Sequence, residues 1–188
     1  MPPTPDTSVC VIGLGYIGLP TAAVLASRGY TVHGVDVSAD VVRTINAGDT
    51  HIVEPELDIL VRAAVQTGRL TAHEAPVESD VFLICVPTPL GENETPDLTY
   101  VNDAATSICP FLRKGNLVVL ESTSPPGTTE SLAEIFAANT GLAPGDIHVA
   151  HAPERVLPGR ILREVVENDR ILGGVDERSA EACAAFYD

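Results

Sequence analysis

Short apolar runs rich in β-branched residues recur along the 188-residue chain. Such runs, bounded by glycine, proline and polar clusters, predict β-strands. The segment 81–86 is apolar at every position, which is typical of a strand buried on both faces of a parallel sheet. The predicted strands cover 8–12, 31–35, 81–86, 116–120, 147–150 and 170–172.

Helical patterns separate these strands. Apolar residues recur there with the 3.6-residue period of a helix, and glycine often follows the last turn. The predicted helices cover 17–28, 39–47, 56–67, 99–112, 129–139 and 176–187, with Asp176 as the N-cap of the last one. This alternation of strand and helix favours an α/β fold, a doubly wound, mostly parallel sheet with helices on both faces.

Length and charge narrow the class of protein. The chain exceeds the common domain size of about 100–150 residues, and it stops inside a helical pattern. We therefore expect residues 1–188 to form one large domain cut from a longer protein. The 26 Asp and Glu outnumber the 11 Lys and Arg, and the net charge of -15 argues against a nucleic-acid partner.

The sequence shows neither a membrane segment nor a secretion signal. No run approaches the roughly 18 consecutive apolar residues of a membrane helix. The start of the chain, residues 1–7, is polar and proline-rich, unlike a secretory signal. Cys10, Cys85, Cys109 and Cys183 stand far apart, so we expect buried thiols in a reducing cytoplasm.

The strongest local signal is the spacing of Gly13, Gly15 and Gly18. These glycines follow the first predicted strand and open the first predicted helix, which is the context in which the pattern binds a dinucleotide. Gly13 permits a tight turn, Gly15 lets the backbone approach a diphosphate, and Gly18 lets helix and strand pack closely. The diphosphate then lies on N–H groups at the positive end of the helix dipole, so no lysine is needed.

Asp36 closes the second predicted strand, 23 residues after Gly13. That is near the spacing of about 20 residues expected for the carboxylate that accepts from the adenosine ribose hydroxyls. A carboxylate there repels a 2′-phosphate. The sequence therefore predicts a Rossmann-like domain that binds NAD rather than NADP.

Two further loops follow buried strands, whose carboxyl ends face the ligand crevice of such a sheet. Thr88, between two prolines, could offer a hydroxyl and an N–H to the cofactor; alternatively, the prolines only shape the loop. The hydroxyl-rich segment 121–129 also suits a ligand-facing loop. A simpler reading is that Thr128 or Thr129 caps the helix that follows, and both readings can hold at once.

Glu154 and Arg155 lie between prolines in the loop after the strand at 147–150. A carboxylate at the crevice can act as a general base or position water, and an arginine can bind an anionic group. The alternative is a surface salt bridge or a brace within the loop. His151 beside them is expected to be structural, and the histidines show no metal-ligand spacing.

Taken together, these motifs resemble the UDP-glucose/GDP-mannose dehydrogenase family. Three blocks resemble in particular the UDP-N-acetyl-D-mannosamine dehydrogenases: His51-Ile-Val-Glu-Pro55, Glu154-Arg-Val-Leu-Pro-Gly159 and Glu167-Asn-Asp-Arg170. The similarity runs in the same order over nearly the whole chain. The blocks that carry the wider resemblance are Val11-Ile-Gly-Leu-Gly-Tyr-Ile-Gly-Leu-Pro20, Val86-Pro-Thr-Pro89, Glu121-Ser-Thr-Ser-Pro-Pro-Gly127 and Ala152-Pro-Glu-Arg-Val-Leu-Pro-Gly159.

The resemblance implies an NAD-dependent enzyme that oxidises the C6 alcohol of a nucleotide sugar to a carboxylate. The reaction would run in two steps, through an aldehyde and a cysteine thioester. Besides the glycines, the resemblance implies cofactor contacts at Tyr16, Ile17, Asp36, Thr88, Thr123 and Thr129.

The same resemblance implies roles for four residues outside the glycine loop. Glu154 would be the acid/base residue that handles water in thioester hydrolysis, and Thr123 would help to hold that water. Arg155 and Val156 would contact the nucleotide sugar. No metal is expected, and the complete enzyme is expected to be a cytoplasmic homodimer.

The sequence also departs from the family pattern. The nucleophilic cysteine, catalytic lysine and paired asparagine of the family lie in later segments that this chain lacks, so we expect the 188 residues alone to be inactive. Pro158 stands where the glucose enzymes often carry a second glutamate. This favours oxidation of UDP-N-acetyl-D-mannosamine to UDP-N-acetyl-D-mannosaminuronate.

Three alternatives stay open at this point. The substrate could be UDP-glucose, GDP-mannose, UDP-N-acetylglucosamine or UDP-N-acetylgalactosamine. The chain could be a non-catalytic NAD-binding module. It could also be a β-hydroxyacid dehydrogenase, which shares the glycine motif, although the loop at 152–159 disfavours that reading.

Overall fold

The computed structural model describes residues 7–91 and 94–188. Its central strands follow the apolar runs of the sequence, because these segments can bury both faces. The strands are β1 (Ser8–Ile12), β2 (Thr31–Val35), β3 (Leu70–His73), β4 (Val81–Ile84), β5 (Leu117–Leu120), β6 (His148–His151) and β7 (Gly173–Gly174).

Helices connect these strands and cover the sheet. A short 3₁₀ turn, Cys109–Phe111, ends the segment that the sequence predicts as helical to residue 112. The helices are α1 (Gly18–Ser27), α2 (Ala39–Asn46), α3 (Leu57–Gln66), α4 (Thr99–Ile108), α5 (Thr128–Thr140), α6 (Ile161–Glu167) and α7 (Glu177–Tyr187).

The seven strands form one sheet in the order β3-β2-β1-β4-β5-β6-β7. Neighbouring strands from β3 to β6 pair in parallel, and β7 pairs antiparallel with β6. The predicted fold class, a doubly wound and mostly parallel α/β sheet, is confirmed.

The core has two layers, one on each face of the sheet. Alternate residues of each strand point to opposite faces, so Val9 and Val11 join one layer while Cys10 and Ile12 join the other. Helices α1, α3 and α7 cover the first face, and α4 and α5 cover the second. Burial on both faces explains why the central strands are apolar without alternation.

The sequence prediction misses the edge strand β3. Its segment, residues 70–73, has only two buried side chains, which alternate with an exposed and a half-buried one. Pairing with β2 through four residue pairs makes it a strand. This pairing joins segments that are far apart in the sequence, so the hydrophobic pattern of the four residues does not reveal the strand.

The second discrepancy lies near the end of the chain. The strand predicted at 170–172 is wrong: the strand is Gly173–Gly174, whose residues have no side chains to give a pattern. Helix α6 was not predicted, because its seven residues bury only Ile161 and Val165. The predicted N-cap of α7 is confirmed, since Asp176 accepts a hydrogen bond of 2.7 Å from the Ser179 N–H.

Two sequence predictions involve residues without a description. One prediction is that residues 1–7 are not a secretory signal. Of these, residues 1–6 lie outside the described residues. The connection between the predicted strand at 81–86 and the predicted helix at 99–112 is described except for residues 92 and 93. Within residues 7–91 and 94–188, no helix is both long enough and apolar enough to cross a bilayer.

A distant carboxylate holds the start of α6. The two oxygens of Glu54 accept hydrogen bonds from the N–H groups of Gly159 (2.8 Å) and Ile161 (2.7 Å). Glu54 is buried, so these charge-assisted bonds are protected from water. They tie the loop after β6 to the segment before α3, more than 100 residues away along the chain.

We predict that Glu54→Ala frees this loop, because it leaves two N–H groups at the start of α6 without an acceptor. The expected loss is about 1–3 kcal/mol in the free energy of unfolding. Urea denaturation measures the loss, and amide hydrogen exchange at Gly159 and Ile161 should accelerate. Glu181→Ala, at an exposed position on α7, is the control. Unchanged exchange at both amides would contradict the bracing role of Glu54.

Candidate NAD and nucleotide-sugar site

The site lies where the order of the strands reverses. β1 pairs with β2 on one side and with β4 on the other, so the connections leaving β1 and β4 go to opposite faces of the sheet. In open α/β sheets this divergence leaves a crevice at the carboxyl ends of the strands. The loops after β1, β2, β4, β5 and β6 all end at this edge.

The glycine loop after β1 is packed too closely for side chains at two positions. A Cβ on Gly13, whose φ is +93°, would lie 2.7 Å from the Cys85 carbonyl oxygen. A Cβ on Gly18 would lie 1.8 Å from the Gly13 carbonyl oxygen. The Gly13 N–H donates to the Val35 carbonyl at 2.8 Å. Because of these close contacts, the start of α1 packs against the ends of β1, β2 and β4.

Gly15 differs from its two neighbours in the motif. A Cβ at this position would meet no atom of the described residues within 4 Å, so its surface faces open space. In the part of the chain that the structure describes, no side chain caps the N-terminus of α1, which leaves the positive end of the helix dipole available. An exposed backbone beside an uncapped helix start fits the diphosphate of a dinucleotide.

Asp36 holds the glycine loop at the end of β2. One carboxylate oxygen accepts from the Leu14 N–H (3.1 Å) and the other from the Ser38 N–H (2.9 Å). Each oxygen keeps lone pairs for further donors. Asp36 thus orients the loop and can also accept from ribose hydroxyls.

The loops after β4 and β5 lie side by side. The Ser122 hydroxyl donates to the Val86 carbonyl at 2.7 Å and ties the two loops together. Thr88 is half-buried in the first loop, and Thr123 is exposed in the second. Both therefore stand at the predicted edge of the sheet.

The alternative reading of the second loop as a helix cap is wrong. Helix α5 begins at Thr128, and Gly127 precedes it in the left-handed conformation without a side-chain cap. The Thr128 hydroxyl donates instead to the Pro125 carbonyl at 2.8 Å. Thr129 is half-buried in the first turn of α5.

Glu154 and Arg155 follow β6, but they do not form a salt bridge with each other. One oxygen of Glu154 accepts from the Arg155 backbone N–H at 2.8 Å, while the Arg155 side chain is exposed and Val156 is half-buried. The other oxygen of Glu154 lies 2.9 Å from Nη2 of Arg170. His151 packs structurally, with Nε2 3.2 Å from the Ser122 carbonyl oxygen.

A buried polar cluster lies behind Glu154. Glu121, with none of its side chain exposed, accepts from the Tyr187 hydroxyl (2.5 Å) and the Cys85 thiol (3.2 Å). Nη1 of Arg170 lies 3.4 Å from the same carboxylate. The Arg170 guanidinium also lies over the Tyr187 ring, 4.2 Å from its centre. Arg170 therefore contacts both buried carboxylates.

Burial shifts the pKa values of the acidic groups in this cluster. It raises the pKa of the Glu121 carboxyl, although Arg170, Tyr187 and Cys85 lower it in part. Burial, together with the Glu121 charge, holds the pKa of Tyr187 and of Cys85 well above their ordinary values. The hydroxyl and the thiol thus stay protonated and act as hydrogen-bond donors.

Sequence reasoning did not find this cluster as a unit. In the sequence, Glu121 and Arg170 stand at the ends of motif blocks and Tyr187 ends the last predicted helix, and no local pattern joins the three. One signal was available: Glu121 ends an apolar strand, and a charge so placed must be paired when buried. The identity of its partners depends on α7 and on the segment before β7, which local pattern does not locate.

Residues 7–188 match the model for the NAD-binding domain of the UDP-glucose/GDP-mannose dehydrogenase family. The chain belongs to this family. The resemblance drawn from the motifs is therefore confirmed, and NAD is the cofactor of the matched domain. The glycine loop, the start of α1 and Asp36 lie together at the carboxyl ends of β1 and β2.

Relatives of this chain carry names from the same group of enzymes. The chain is 54% identical to an NDP-N-acetyl-D-galactosaminuronic acid dehydrogenase from Ralstonia nicotianae, over 96% of this chain and 45% of that protein. It is 52% identical to a UDP-N-acetyl-D-mannosamine dehydrogenase from Campylobacter jejuni, over 95% of this chain and 46% of that protein.

A solved structure shows the same fold. The UDP-D-ManNAc dehydrogenase from Pyrococcus horikoshii superposes with a TM-score of 0.91 at 46% identity, over 96% of this chain and 44% of that one. The chain thus spans less than half of the length of the relatives it matches.

The two glycines Gly15 and Gly18 should respond differently to an added methyl group. We predict that Gly18→Ala costs about 1–3 kcal/mol in stability, the scale of overpacking. Gly15→Ala should change stability by less than about 0.5 kcal/mol, yet weaken NAD binding because its methyl group occupies the diphosphate surface. Thermal unfolding with and without NAD separates the two effects. Equal stabilisation of wild type and Gly15→Ala by NAD would remove Gly15 from the site.

Proposed function

We propose that this chain is the NAD-binding half of an enzyme that oxidises C6 of a nucleotide sugar to a carboxylate. The observation that carries the proposal is the position of Glu154. It lies at the same sheet edge as the glycine loop, with 6% of its side chain exposed and one oxygen against Arg170. A pure cofactor-binding module has no need of a carboxylate held in this way. The family membership supports the same reading.

The proposed cofactor contacts combine backbone and side chains. NAD, when bound, supplies the hydride acceptor for both oxidation steps. Gly13, Gly15 and Gly18 shape the diphosphate surface, and Asp36 accepts from the ribose. Side chains exposed or half-buried at the crevice complete the proposed set: Tyr16, Ile17, Thr88, Thr123 and Thr129.

The proposed role of Glu154 is to move a proton at the water that hydrolyses the thioester. Its carboxylate can take a proton from water and return it to the departing thiol. Thr123, exposed at the end of the neighbouring strand, would help to hold that water. Arg155 and Val156 would contact the nucleotide sugar, with the exposed guanidinium facing an anionic group.

None of the four cysteines suits the role of nucleophile. All four are free and buried. Burial raises the pKa of Cys10 to about 11 and that of Cys183 to about 12, and it raises the pKa of Cys85 and Cys109 as well. Because the thiolate is the reactive form, these thiols are poor nucleophiles near neutral pH. The proposal therefore places the nucleophile outside this chain.

The proposed substrate is UDP-N-acetyl-D-mannosamine. The motif blocks at 51–55 and 167–170 favour this subgroup, and the Campylobacter jejuni and Pyrococcus horikoshii relatives carry its name. The proposal extends to a homodimer of the complete protein and to a cytoplasmic location, whose reducing conditions suit free thiols.

Asp36→Ala should weaken NAD binding to the 188-residue chain by about 1–3 kcal/mol, the cost of leaving hydrogen-bonding partners unpaired. The loss of its charge should also reduce the preference for NAD over NADP, because a 2′-phosphate is no longer repelled. Calorimetric titration with each cofactor measures both effects. Asp103→Ala, at an exposed site on α4, is the control. An unchanged NAD affinity would exclude Asp36 from the site.

Glu154→Gln in the full-length protein should keep NAD affinity and the first hydride transfer. It should slow thioester hydrolysis by about 10²–10⁴-fold, the range for loss of a general acid or base. A burst of NADH followed by slow turnover, with acyl-enzyme detected by mass spectrometry, is the expected result. Glu181→Gln is the control. Normal steady-state turnover by Glu154→Gln would refute the role given to Glu154.

A further inference from the structure

We propose that Arg170 is a positioning residue that fixes the Glu154 carboxylate at the carboxyl end of β6. The inference rests on the function proposed for Glu154 above and deepens it. Arg170 reaches Glu154 from a different part of the chain, the segment between α6 and β7.

The contact between the two side chains is protected from water. Nη2 of Arg170 lies 2.9 Å from Oε2 of Glu154, with 16% and 6% of the respective side chains exposed. Among the described residues, no well-aligned hydrogen bond reaches this buried oxygen. The ion pair therefore fixes Oε2 inside the protein, away from water. This leaves Oε1, which accepts from the Arg155 N–H, as the oxygen that can take a proton from water.

Arg170 is itself held by two groups behind it. Nη1 lies 3.4 Å from the buried carboxylate of Glu121, and the guanidinium plane lies over the Tyr187 ring at 4.2 Å. The Tyr187 hydroxyl in turn donates to Glu121 at 2.5 Å. A planar guanidinium can bridge two carboxylates and stack on a ring at once, which an ammonium group does less well.

Stability alone is a poor explanation for this arrangement. Desolvation of buried ions offsets much of their attraction, and well-packed apolar residues often serve a core as well or better. Here two carboxylates share the guanidinium of Arg170, so the cluster carries an excess of acidic groups. The geometry is better explained by a requirement for a located carboxylate at Glu154.

The test is a double-mutant cycle in the full-length protein, with Arg170→Met, Glu154→Gln and the pair. Rapid-quench kinetics separate the first hydride transfer from thioester hydrolysis. Arg170→Met should slow hydrolysis on the order of 100-fold, the scale of a misplaced catalytic group, and leave NAD affinity and the first hydride transfer nearly unchanged. In the Glu154→Gln background the same substitution should change hydrolysis less than about twofold, because a residue acting through Glu154 then has nothing left to position.

A merely structural role for Arg170 gives a different result. Arg170→Met would then slow the first hydride transfer and thioester hydrolysis alike, by the same factor in the wild-type and Glu154→Gln backgrounds. That result would overturn the positioning role of Arg170 but not the proposed role of Glu154. If Glu154→Gln itself left hydrolysis unchanged, the proposed role of Glu154 would fail, and the inference would fail with it. The matched control is Arg163→Met: Arg163 is an exposed arginine on α6 that pairs with Glu167.

A second variant covers the case in which Arg170→Met does not fold. Arg170→Lys keeps the positive charge near Glu121 and Glu154 but loses the planar guanidinium group with its paired N–H donors. We expect it to fold, to retain part of the hydrolysis rate, and to show the same dependence on Glu154. If Arg170→Lys slowed hydrolysis by the same factor in the wild-type and Glu154→Gln backgrounds, the positioning role would again be rejected.

Discussion

The turn from β1 into α1 depends on two glycines that approach their neighbours more closely than any side chain allows. A Cβ on Gly18 would lie 1.8 Å from the Gly13 carbonyl oxygen, and one on Gly13 would lie 2.7 Å from that of Cys85. This packing sets the start of α1 against the ends of β1 and β4. The strand order reverses at that point, so the crevice and the loops that surround it are located by the same contact.

The glycine turn is linked to the acid/base candidate through the core. Cys85 lies beneath Gly13 and Gly18 and donates its thiol hydrogen to Glu121. Glu121 contacts Arg170, which reaches Glu154. The chain has a net charge of -15, and the guanidinium of Arg170 pairs with two internal carboxylates. In the proposed site, the anionic cofactor is bound instead by backbone N–H groups and the dipole of α1. Buried polar networks of this kind restrict the positions of all their members.

Much of the sheet could be predicted from the sequence, because burial on both faces leaves an uninterrupted apolar run. β1, β4 and β5 are predicted for this reason. β2 and β6 carry polar residues and are predicted from shorter apolar segments, and all five strands lie within about two residues of their predicted bounds. β3 and β7 were not, because an edge strand buries few side chains and Gly173 and Gly174 bury none. α6 depends for its start on Glu54, a partner more than 100 residues away.

The sequence by itself determined the class of fold, the glycine loop and the placement of Asp36 at the end of the second strand. These features depend on spacing within a few tens of residues, which a linear pattern contains. Only the tertiary structure decided that Glu154 pairs with Arg170 rather than Arg155, and that Glu121 and Tyr187 lie behind that pair. Such pairings are contacts between segments brought together by packing of α7 against the sheet and of α6 against α1. Their energies depend on burial, which no local pattern specifies.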